Sequence, residues 1–144
     1  MNLEQCIFLG GLLHFSILTA SALVPRVLKW KTALSSLDTM PRRIFWVYGA
    51  FIVLMIVGFG TLSVLFAADL ASGSPLARGV CGFIAIFWGM RLLVQFFVFD
   101  ATPYLKSWFL KVGYHALTIA FTLLTALYTL AAFQPEWLTT PIRY

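Results

Sequence analysis

The sequence predicts an all-α integral membrane protein: a four-transmembrane-helix bundle with both termini on the non-cytoplasmic side. Three observations carry that prediction. The chain is 61% hydrophobic and 10% charged over 144 residues, with a mean hydropathy of +0.93, whereas soluble domains carry roughly 25% charged residues to meet water. Apolar runs cover residues 7–24, 44–68, 79–99 and 107–133, each close to or beyond the ~20 residues that cross a hydrocarbon core as a helix. The basic residues are distributed unequally between the two sets of loops.

Strands would need half that length and would alternate in polarity. A helix also satisfies its backbone groups internally where lipid offers no partner. With their flanks, the runs predict transmembrane helices at about 4–24, 43–68, 78–99 and 104–133 within a single membrane domain 1–144, with a basic cytoplasmic loop over 25–42.

Breakers agree with these limits. Pro25 follows the first run and Pro41-Arg42-Arg43 opens the second. The stretch Ala71-Ser72-Gly73-Ser74-Pro75 separates the second from the third, and Asp100-Ala101-Thr102-Pro103 predicts a tight turn into the fourth. Ala20-Ser21-Ala22 resembles the small-residue cleavage site of a secretory signal. The residues before the apolar run carry Glu4 but no lysine or arginine, so the first span is expected to be retained.

Orientation follows from charge. One set of loops and helix ends holds Arg26, Lys29, Lys31, Arg42, Arg43, Lys106 and Lys111, and the other only Arg78 and Arg143, beside Glu4, Asp69 and Glu136. Basic short loops remain cytoplasmic, which places the protein N-out and C-out, in a bacterial inner (cytoplasmic) membrane. Trp30, Trp46, Tyr104 and Trp108 would mark the inner interface, and Trp137 and Tyr144 the outer. Within 25–40, the spacing of Val27, Trp30, Leu34 and Leu37 suits an interfacial helix as well as an irregular basic loop does. The net charge of +5 is explained by this topology, and no nucleic-acid partner is expected.

Catalytic motifs are absent: there is no HExxH, paired-cysteine knuckle, GxSxG or phosphate-cradling glycine loop. Carboxylates occur only near span ends or in loops, so a non-enzymatic role is favoured. Cys6 and Cys81 both fall at outer helix ends, where a disulfide is one outcome and two buried free thiols the commoner one.

The informative residue is Arg91, about 14 Å along its helix from Asp100. A central arginine costs roughly 2.5–3.5 kcal/mol to insert, so it calls for a purpose. Trp88 and Gln95 share its face at i−3 and i+4, while Gly82, Ala85 and Gly89 form a small-residue strip suited to close packing. His14 in the first span and His115 in the fourth are the other buried polar candidates, with Thr118, Thr122 and Thr125 beside His115. The expected site is a polar pocket of His14, Trp88, Arg91, Gln95 and His115.

No acidic residue shares Arg91's depth, so it must snorkel, settle on internal polar groups, or meet an outside anion such as a haem propionate, a lipid phosphate or another subunit's carboxylate. Metal ligation by His14 and His115 is expected only if haem b is bound, and a quinone is the other cofactor considered. The first functional expectation is an accessory or structural subunit of a larger membrane complex. Its pocket would accept a lipid or cofactor, and its partners would be the lipid bilayer and other membrane subunits or a homo-oligomer. A haem- or quinone-binding redox protein using His14, His115 and Arg91 is the alternative, followed by a small transporter, for which a lone cation makes a poor proton relay.

Overall fold

A computed structural model of the chain describes residues 1–27, 29–98 and 108–133. Among them every regular element is helical: α1 Leu3–Val27, α2 Trp30–Ser35, α3 Thr39–Leu65, α4 Ala67–Ala71, α5 Pro75–Phe97 and α6 Trp108–Phe133. Helices α1, α3, α5 and α6 are long and apolar enough to cross a membrane. The turn at 100–103, Tyr104, Lys106, Glu136, Trp137, Arg143 and Tyr144 lie outside the described residues.

The element limits depart from the expected spans for local reasons. Pro25 sits inside α1. A proline so near the end removes one i→i−4 bond, and the last turn continues past it. The chain then turns at Lys29, which adopts a left-handed conformation with φ 49°. It enters α2, so part of the basic loop is helical.

The second span divides at Phe66, whose ψ of 31° leaves the α-helical region. Hydrogen bonds from Phe66 N to Leu62 O and from Leu70 N to Phe66 O carry the chain through the bend, and Ala67 and Leu70 of α4 are buried. Helix α5 begins earlier than expected because Ser74 Oγ accepts the Ala77 N–H and Pro75 occupies the first turn.

The long helices form an up-down bundle. Helix α1 packs on α3 and α5 on α6, and the two pairs meet along α1 and α6. Small residues set the closest approaches. A Cβ built on Gly11 would lie 2.7 Å from Val64 Cγ2, and one on Gly60 would lie 3.1 Å from His14 Cβ. On the α5–α6 seam, Gly82 faces Ala132 and Gly89 faces Thr125 at 3.9 and 3.6 Å. The expected small-residue strip thus packs against α6, as close approach of membrane helices requires.

Closure is confined to one half. Buried residues of α1 are Ile7, Gly10, Gly11, His14 and Ile17; those of α3 are Ile56, Phe59, Gly60 and Ser63. No residue of α1 beyond Ile17, of α3 before Ile56, or of α6 before Ala120 is buried. Helices α1 and α3 therefore bury their residues at the end away from Arg26, Arg42 and Arg43, whereas α5 and α6 stay joined toward the basic end through buried Gln95 and half-buried Thr118. Arg78 ties the tight end together: its Nε donates to Ala132 O at 2.7 Å and a terminal guanidinium nitrogen to Phe133 O at 2.8 Å, capping the carbonyl end of α6.

Candidate functional site

Two polar constellations occupy the interior, one turn apart, and they differ in kind. The first is closed. His14 is fully buried. Its Nδ1–H donates to Gly10 O at 2.7 Å, and its Nε2 accepts the Trp88 indole N–H at 2.9 Å. A carbonyl only accepts and an indole only donates, so the ring is the neutral Nδ1–H tautomer. The Phe59, Trp88 and Tyr128 rings surround the imidazole edge-on, with centroids 6.2, 5.4 and 5.8 Å away. Trp88 stacks on Phe121 at 5.0 Å. Beside it the Ser63 and Tyr128 hydroxyls hydrogen bond to one another. Residues from all four long helices thus form one knot, with no buried polar side-chain atom among the described residues left unpaired.

The second constellation is open. Arg91 follows Trp88 by three residues and precedes Gln95 by four, and both of those are buried, so Arg91 belongs to the inward face of α5. It is nevertheless exposed, although Gln95, one turn further on, is buried. Its guanidinium lies over the Phe121 ring, 5.3 Å from the centroid. Gln95 Nε2 donates to Thr118 Oγ1, one turn nearer the basic end.

At the level of Arg91 the inward residues Ile17, Ile56 and Phe121 are still buried, and uncovering begins about one turn nearer the basic end. Ile52, four residues before Ile56, is 52% exposed, and a Cβ on Gly49 would meet nothing within 4 Å. Among the described residues no carboxylate pairs with Arg91. Glu4 stands in the first turn of α1, Asp69 lies in α4, and Asp38 precedes α3.

The five expected site residues are therefore divided. His14 and Trp88 are bonded to each other. Gln95 turns to Thr118, and Arg91 is exposed with its guanidinium over the Phe121 ring. His115 stands apart: it is exposed, and the Tyr114 ring lies edge-on to it at 5.6 Å. Gly89 abuts Thr125, one residue past the Trp88 level, and His115 lies ten residues before Thr125. At helical rise the two histidines are about 15 Å apart along the bundle.

This arrangement does not offer His14 and His115 to opposite faces of one haem, and both His14 nitrogens are already engaged. Among the described residues no group of three or more metal-ligating side chains occurs. Cys6 and Cys81 are free thiols, with Cys81 Sγ directed at Leu70 O.

Ser63, Tyr128, Phe59 and Phe121 are members of the knot that sequence reasoning did not single out. A tyrosine in mid-span, away from the interfacial belts, was the available signal, since a buried phenol needs a hydrogen-bond partner. The threonines of α6 have a local role: Thr118, Thr122, Thr125 and Thr129 each donate to the carbonyl four residues earlier.

The fold is a helical bundle with four helices long and apolar enough to cross a membrane, holding a closed polar knot and, one turn away, an exposed arginine over the Phe121 ring. Comparison with known proteins finds no matching family model, curated protein or solved structure.

Proposed function

We propose that the protein is a non-enzymatic accessory subunit of a larger complex in a bacterial cytoplasmic membrane, with both termini outside. Its open inner half receives a membrane-spanning helix of another subunit, whose carboxylate pairs with Arg91. The observation that carries this reading is the exposure of an arginine on the inward face of α5, about one turn above the level at which the inward face of α3 becomes uncovered at Ile52. A guanidinium at this depth is costly without an anion, and its cation–π contact with Phe121 contributes only about 0.5–2 kcal/mol. The closed knot above it supports a scaffolding role, since its polar groups are spent on one another.

The test is co-purification from native membranes in mild detergent. Wild-type protein should retain a second membrane polypeptide, and Arg91→Leu should reduce that retention at least ~10-fold, because losing one partner of a desolvated pair costs several kcal/mol. Arg91→Lys should retain an intermediate amount, keeping the charge but losing the planar fork. Purification of the wild type as a lone monomer would refute the proposal.

A further inference from the structure

We infer that the segment 26–43 forms a headgroup site for anionic phospholipid, independent of Arg91 and of any partner subunit. Five cations, Arg26, Lys29, Lys31, Arg42 and Arg43, face a single carboxylate, Asp38, in this stretch. Arg26, Lys29, Lys31 and Arg43 are exposed and Arg42 is half-buried. The fold gathers them from two helix ends. The left-handed residue Lys29 separates α2 from the end of α1, and Arg42 and Arg43 lie in the first turns of α3.

An aromatic cluster sits among them. Trp30 at the start of α2 packs edge-on against Phe45 of α3 at 5.1 Å, and Phe45 packs against Trp46 at 5.9 Å. Trp46 is 43% exposed. Indole rings settle at headgroup level, so this cluster fixes the depth of the surrounding ammonium and guanidinium groups at the phosphate layer. Cations immediately beyond a membrane span attract acidic lipids, each strengthening the attraction roughly five-fold near the surface. A zwitterionic headgroup gives no such net gain.

The full-length protein, reconstituted in phosphatidylcholine vesicles, supplies the readout through its own tryptophans. Brominated phosphatidylglycerol should quench their fluorescence at least ~2-fold more than the same mole fraction of brominated phosphatidylcholine. The excess should fade as salt rises from 0.1 to 1 M and the screening length falls from about 10 to about 3 Å. Inorganic phosphate should act no more strongly than sodium chloride of equal ionic strength, which separates lipid from free anion. Replacing all five cations with Gln should bring the two quenchers to parity, while Lys29→Arg with Lys31→Arg should preserve the difference. Equal quenching in the wild type overturns the inference whatever the variants do, as does an excess that survives the five-fold neutralisation or high salt.

Discussion

Trp88→Ala is expected to cause the largest loss of stability of any single truncation in the bundle, about 3–5 kcal/mol. Trp88 is 1% exposed, stacks on Phe121 and donates to His14. Its removal opens a cavity in the knot to which all four long helices contribute. The two contributions can be separated. Hydrogen bonds between membrane helices average only about 0.6 kcal/mol in double-mutant cycles, so packing should dominate. Trp88→Phe, which keeps a ring against Phe121 but leaves His14 Nε2 without its donor, should cost no more than about 2 kcal/mol. Unfolding of the purified variants in a denaturing-detergent titration reads both values. A Trp88→Phe loss equal to that of Trp88→Ala would show that the hydrogen bond, rather than ring packing, holds the knot.

Gly11→Val is expected to prevent the α1–α3 pair from closing. Even the Cβ shared with alanine would lie 2.7 Å from Val64 Cγ2, 3.0 Å from Ser63 Cβ and 3.0 Å from the Val64 backbone nitrogen. A side chain can rotate away, but a backbone nitrogen cannot, so α3 itself must move. Overpacking of this kind costs about 1–3 kcal/mol for one methyl group and more for a branched side chain. Gly10 offers a graded comparison: its Cβ would meet Leu127 Cδ2 at 2.8 Å, the far end of a flexible side chain. Gly10→Ala should therefore be milder than Gly11→Ala. Gly58→Ala should be neutral or stabilising, because nothing lies within 4 Å of its Cβ and alanine is the better helix former. Melting temperatures in detergent establish the order, and a Gly11→Ala variant as stable as Gly58→Ala would contradict the close approach.

The four long helices were legible in the sequence because length and hydropathy act through the chain's own local composition. Their limits were less so. Ser74 and Pro75 extend α5 outward, Pro25 falls within α1 and Phe66 bends the second span, each through backbone bonding at one or two residues. The face shared by Trp88, Arg91 and Gln95 was also legible, since it needs only helical periodicity. How one helix rotates against another was not. His14 meets Trp88 because Gly10, Gly11 and Gly60 draw α1 inward at that level, whereas His115 falls on an exposed face of α6. The exposure of Arg91 on an otherwise buried face of α5 was hidden for the same reason, because apolar composition is alike whether a helix faces lipid, a partner or its own bundle.

The most direct test of the open inner half is photocrosslinking in native membranes from a benzophenone amino acid placed at Ile52. This position of α3, one turn toward the basic end from buried Ile56, is 52% exposed. An adduct with a second membrane polypeptide is expected, and it should disappear when Arg91 is changed to Leu. Crosslinks confined to α5 or α6 of the same chain, or an adduct indifferent to Arg91, would contradict this expectation.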